Sequence, residues 1–149
     1  MIRLSARQSA AAAAWRPIFD YIVATAAERV AVLDRLGLTP AESRALSSLD
    51  PLQGRSMRSL AQEWACDPSN ATWLVDRLEH QHLASRVAVA GDRRAKAVVL
   101  TAKGKRLRAQ LQKSLYTPPR DLMTMAIGDL EALKSAAEKL PKRHQPDRV

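Results

Sequence analysis

The sequence predicts a mainly α-helical chain with one small β-hairpin wing, a winged helix-turn-helix framed by N- and C-terminal dimerisation helices. Three observations point there. Residues 55–104 read as two short capped helices, a β-rich run, a basic turn, a second β-rich run and the start of a further helix. Outside that stretch, apolar residues recur at three- and four-residue spacing, as amphipathic helices require. The charge is also one-sided. The 149 residues carry 24 Lys and Arg against 15 Asp and Glu, a net +9, which suits a polyanionic partner or a solvated basic surface. Residues 85–108 hold eight of the basic residues and a single acid, Asp92, so most of the excess falls on the hairpin and the helix after it.

Residues 1–37 are expected to form an N-terminal dimerisation helix. Trp15, Ile18, Ile22, Ala26, Val30 and Leu33 give it an apolar stripe. Pro17 is awkward inside this pattern: either the helix starts there or it kinks. The Ala-rich stretch before it, interrupted by polar residues, reads as a frayed helix start and not as a secretory leader. Gly37 ends the helix.

Residues 38–100 hold the helix-turn-helix and wing. Thr39-Pro40-Ala41-Glu42 combines a capping residue, a proline for the first turn and a carboxylate at capping-box spacing. Asp50-Pro51-Leu52-Gln53-Gly54 is a turn. Ser56 caps the next helix, which buries Met57, Leu60, Ala61 and Trp64. After a turn at Ala65-Cys66, Asp67-Pro68 opens a helix that runs to about residue 81. Ala71, Leu74, Val75 and Leu78 share its core face. At about 100° per residue, Ser69, Trp73 and Asp76 point away from that face, with Asn70, Thr72 and Arg77 on the flanks. Such a polar N-terminal half suits base edges and phosphates. The β-rich runs 86–90 and 95–100 surround Gly91-Asp92-Arg93-Arg94, whose two arginines form a basic hairpin tip.

Residues 101–140 are expected to be C-terminal dimerisation helices. Thr101 caps the first, Thr117-Pro118-Pro119 stops it, and the second covers about 127–140. Residues 141–149 read as a disordered tail. The outer apolar stripes need a partner, and a second copy of the same helices is the economical one.

The stretch LAQEWACDPSNATWLVDRLE, followed by Arg86, Asp92-Arg93-Arg94 and Leu100-Thr101-Ala102-Lys103-Gly104, resembles the MarR family of bacterial transcriptional regulators. The resemblance covers about residues 10–140. It implies a dimeric winged-helix repressor on a palindromic operator in double-stranded DNA, released by a small aromatic or phenolic effector. The helix from Asp67 would enter the major groove, and Arg93 and Arg94 would reach the minor groove or backbone. The alternative the family suggests is that one of these arginines pairs with Asp92 and shapes the wing. Two positions depart from the family pattern. A glycine usually follows the recognition helix, where this chain has His82, leaving either a strained left-handed cap or a different helix end. Trp73 stands where relatives carry a small or basic residue.

The DNA-binding residues expected are therefore Ser69, Asn70, Thr72, Trp73, Arg77, Arg93, Arg94 and Lys96. Trp73 either packs on a sugar or thymine methyl or covers neighbouring side chains. Trp15 and Phe19 are candidates for an effector pocket, with plain core packing as the alternative. The single Cys66 excludes an intrachain disulfide and fits a reducing cytoplasm. No apolar run is long enough to cross a membrane. His80, His82 and His144 form no metal set, no cofactor is implied, and no glycine-rich phosphate loop or nucleophile elbow suggests an enzyme. The competing function is a basic interaction module that binds nucleic acid or an acidic partner without sequence specificity.

Overall fold

The structure is a computed structural model that describes residues 5–141. The expected tail lies, beyond its first residue, outside the described residues. In chain order the elements are α1 (Ala6–Ala24), α2 (Ala26–Leu36), α3 (Pro40–Ser48), β1 (Arg55–Ser56), α4 (Met57–Trp64), α5 (Pro68–His80), β2 (Ala84–Val89), β3 (Asp92–Leu100), α6 (Ala102–Leu115), a 3₁₀ turn (Arg120–Thr124) and α7 (Ile127–Glu138).

The first helical pattern is two helices, and the break is at Thr25, not Pro17. Pro17 sits within α1 without ending it. The Thr25 hydroxyl donates to the Tyr21 carbonyl at 2.8 Å and accepts from Arg29 Nη1 at 2.8 Å. The other Arg29 nitrogen takes the Ile22 carbonyl. That carbonyl would otherwise receive the next helical N–H, so the ladder is interrupted there. The start of α1 is not frayed either. The Ser5 side chain accepts from the Gln8 N–H, and the Gln8 side chain accepts from the Ser5 N–H, a complete capping box.

The core lies among α2–α6 and the sheet. Leu46, Leu49, Leu60, Val75, Leu78, Leu83, Val98 and Leu111 are its fully buried large apolar residues, and Ala71 and Leu74 complete the inward face of α5. The expected capping box at Thr39 and Glu42 is present, and Ser56 and Thr101 accept from the N–H groups of Ser59 and Gly104. Asp67 occupies the N-cap of α5, but its side chain makes no capping hydrogen bond.

The sheet has three antiparallel strands in the order β1-β3-β2. β1, a two-residue strand, lies outside the expected pair; it is too short to leave a periodic signal in the sequence. Both hairpin strands are longer than expected, and the turn is tighter, at Ala90-Gly91, with Gly91 at φ 86°. Ala88 pairs with Lys96 while Val89 pairs with Asp92, so β3 carries a bulge there that contains Arg93 and Arg94.

Two corners depend on unusual backbone. After α5, His82 adopts the left-handed conformation, φ 59°. Its N–H donates to the Glu79 carbonyl at 2.9 Å, and that of Leu83 donates to the Leu78 carbonyl at 2.8 Å. This is the hydrogen-bond pair of a Schellman cap, so the strained option is the one the chain takes. Gly104, on α6, packs directly on this corner: a Cβ there would stand 1.8 Å from the Leu83 carbonyl oxygen.

Opposite stability effects follow for these two sites. His82→Gly should raise the unfolding free energy by about 1 kcal/mol, because it relieves a left-handed side chain. Gly104→Ala should lower it by about 3 kcal/mol or more through a backbone clash. Urea denaturation followed by circular dichroism measures both. A destabilised His82→Gly variant would show that the imidazole contributes more than its backbone costs.

Candidate nucleic-acid interface

α5 presents the expected surface. Ser69, Asn70, Thr72, Trp73, Asp76 and Arg77 are all exposed, opposite its buried apolar face. Because Asp67 does not cap through its side chain, the first-turn amides at Ser69 and Asn70 sit at an open, positive helix end.

The helix is fixed on both flanks by ion pairs. On the α3 side, Arg77 Nε donates to Glu42 Oε1 at 3.0 Å. The same oxygen accepts from Gln81 Nε2 at 2.9 Å, and Glu42 Oε2 accepts the Thr39 N–H at 2.9 Å. Glu42 is only 1% exposed. Its burial pushes the carboxyl pKa up, but the Thr39 N–H, the Thr39 hydroxyl and the Arg77 guanidinium outweigh this and hold it below the ordinary value. Arg77 also lies over the Trp73 ring, 5.9 Å from its centroid. The sequence offered Arg77 as a DNA contact; the structure adds a tether to α3.

On the wing side, Arg86 reaches Asp76 at 2.7 Å and also pairs with Glu79. Its backbone N–H donates to the second Glu79 oxygen at 2.8 Å. Arg86 thus clamps β2 to α5 and does not belong to the unspent positive charge. Lys103 and Arg108 donate to the carbonyls of Gln81 and Ser47, which fixes these side chains and leaves their charge in place. Of the basic cluster read from the sequence, Arg86 is the member committed to carboxylates among the ion pairs described.

Lys96 is exposed opposite Ala88. Directly paired residues share a sheet face, so it stands on the face of Arg86, the face that meets α5, farther out along the hairpin. Arg93 and Arg94 belong by their backbone to the bulge at the wing tip; their side chains lie outside what is described. Asp92 Oδ1 accepts the Ala95 N–H at 3.3 Å, closing the bulge.

Sequence reasoning missed Arg58 and Gln62. They line a cleft with Asp67, Pro68 and Asn70 between α4 and the start of α5. Both are exposed, and their four-residue spacing on a capped helix was the available signal.

Trp15 and Phe19 stack at 5.9 Å between ring centroids, tilted by 37°. They are 57% and 51% exposed and line none of the described cavities. In the single chain they are therefore not core. A groove of about 680 Å³ opens instead between α1–α2 and the end of α6, lined by Tyr21, Ile22, Thr25, Arg29, Leu115 and Arg120 among others. The Tyr21 hydroxyl is buried there without a hydrogen-bond partner among the described residues. Burial raises its pKa, and the carboxylates of Asp121 and Glu28 add to the effect.

Among the described residues no group of His, Cys, Asp and Glu is placed to hold a metal, and no helix is long and apolar enough to cross a membrane.

A helix pair with a three-stranded sheet clamped beside the second helix defines a winged helix-turn-helix. Comparison with solved structures narrows this to the MarR-type fold. A MarR family protein from Bacillus stearothermophilus is similar with a TM-score of 0.73 and 22% identity, over 93% of this chain and 96% of that one. The YusO protein of Bacillus subtilis gives 0.70 and 24%, over 92% and 97%. An S. aureus MepR variant, solved bound to an oligodeoxyribonucleotide, gives 0.67 and 20%, over 85% and 94%. No protein-family model matches the chain, and no curated protein sequence does.

The depressed Glu42 pKa carries a pH signature. Its contribution is present above the ordinary carboxylate value of 4.5 and is lost as pH falls through the lower folded value. Glu42→Gln should cost about 1–3 kcal/mol at neutral pH. The variant should also lose less than the wild type on acidification, which melts at pH 7, 5 and 3.5 would register. Parallel pH profiles would mean that this carboxylate does not couple to folding.

Proposed function

We propose that the chain is a sequence-specific DNA-binding transcriptional regulator of the MarR family, acting as a homodimer in the cytoplasm. One observation carries this reading. The polar face of α5 is exposed with its positive end open, and both flanks are pinned by buried or half-buried ion pairs that leave that face outward. A helix so presented, with a hairpin beside it, matches major-groove insertion with a flanking wing contact. The contact set is Ser69, Asn70, Thr72, Trp73 and Arg77 from α5, with Arg93, Arg94 and Lys96 from the wing. Arg58 and Gln62 of α4 stand beside it, where the first helix of the motif crosses the backbone.

The dimer rests on unburied apolar surface. α1 and α7 contain no buried residue, yet they carry Trp15, Ile18, Phe19 and Ile22 on one and Ile127 and Leu133 on the other, all exposed. Apolar surface of this extent favours burial against a partner, and a two-fold copy offers the same helices in return. Residues 1–37 and 101–140 are then the dimerisation segments and 38–100 the DNA-binding domain.

The operator would be a palindrome in double-stranded DNA, and the regulator a repressor released by a small aromatic or phenolic molecule. The groove at Tyr21 suits such an effector better than Trp15 and Phe19 do, since it pairs an unpartnered hydroxyl with arginines and apolar walls. Binding there would release DNA only by favouring a spacing of the two α5 helices that does not fit the operator.

The test is fluorescence anisotropy on duplexes flanking the protein's own gene, against scrambled duplexes, at two salt concentrations. One palindromic site should hold at the higher salt. Thr72→Ala should weaken that site by about 1–3 kcal/mol and leave scrambled DNA unaffected. Equal, salt-labile binding to every duplex would favour the basic interaction module and end the operator claim.

A further inference from the structure

Trp73 is the largest apolar side chain on the outward face of α5, and it is 58% exposed. Such a ring in water is ordinarily mobile, since little holds an exposed rotamer. This one is held. Arg77, one turn along, covers the ring at 5.9 Å from its centroid. Arg77 is fixed in turn by its Nε bond of 3.0 Å to Glu42, and Glu42 is buried and bound to Thr39 and Gln81. A buried carboxylate on α3 is therefore linked to an exposed indole on α5 through one guanidinium.

The edges of base pairs in the major groove are donors and acceptors, with one apolar exception, the C5 methyl of thymine. An indole face has no hydrogen bond to offer a base edge, and it gains by covering a methyl group. Restrained by that guanidinium, it loses less freedom on contact than a free ring would.

We propose that Trp73 is a thymine reader. Its ring packs on the C5 methyl of one thymine at a fixed position in each half-site, and Arg77 and Glu42 are positioning residues for it. This rests on the DNA-binding reading above. It differs from a contact to deoxyribose, which would be indifferent to the base, and from a phosphate role for Arg77.

The experiment starts by selecting a preferred duplex from a randomised pool with the full chain. Each thymine of that duplex is then replaced by deoxyuridine, which removes only the methyl group. The wild type should lose about four- to tenfold in affinity at one symmetry-related thymine pair. Trp73→Ala should bind the thymine and uracil duplexes equally, and Trp73→Phe should keep part of the difference. Arg77→Lys, which retains the charge but not the planar group, should shrink the thymine-to-uracil ratio. An unchanged ratio in that variant would remove Arg77 from the positioning role. Should the selected site survive every uracil replacement in the wild type, or should Trp73→Ala keep the uracil penalty, the thymine reading is wrong while the regulator stands. If no duplex is enriched, the DNA-binding reading fails and this one with it.

Discussion

Three consecutive carbonyls at the end of α5 hold the molecule's architecture together. A helix leaves its last carbonyls without intrahelical partners, and here the start of α6 supplies partners just beyond that end. Lys103 Nζ donates to Gln81, the Thr101 hydroxyl to His82 and the Thr101 N–H to Leu83. Gly104 allows the approach, since any side chain there would overlap the Leu83 carbonyl. The exit of α5, both ends of the wing hairpin and the start of α6 thus share one corner. Movement of α6 cannot leave the wing and α5 behind.

From that corner outward, charge serves two purposes. Arg86 joins the wing to α5, Arg77 joins α5 to α3, and the buried Arg55 pairs with Glu63 in the last turn of α4. Each pair spends an arginine and a carboxylate on geometry. Removing one partner from such a pair costs more than the pair itself contributes, because the other charge is left uncompensated. What remains outward is polar and basic, spread over α5, Lys96 and the exposed Lys105 and Arg106 of α6. The fold uses its buried charges to aim its exposed ones.

The outer helices obey a different logic. Thr25 and Arg29 divide what the sequence writes as one stripe, so that α2 packs on the core while α1 projects from it. Leu33 is buried and Trp15 is not, although both fit the same helical period. The groove at Tyr21 opens beside this break. A change in the angle between α1 and α2 would therefore alter the groove and the apolar face together.

Sequence alone determined the capped helix starts at Thr39, Ser56 and Thr101, though not the one at Ser5, together with the inward face of α5 and the presence of a hairpin. Those signals are local: a hydroxyl within reach of an N–H three residues on, or an apolar residue every three to four positions. It also placed Ser69, Asn70, Thr72 and Trp73 on one exposed face, because helical geometry fixes direction once the core face is known. Tertiary structure alone decided which charges are spent. Nothing local in the sequence says that Arg86 faces Asp76 and Glu79, or that Glu42 receives Arg77 from 35 residues away. It also decided that His82 turns left-handed, since the cost at one residue is outweighed by the corner it completes. Short-range rules set where helices begin and which way they face; long-range contacts set what each charged side chain is for.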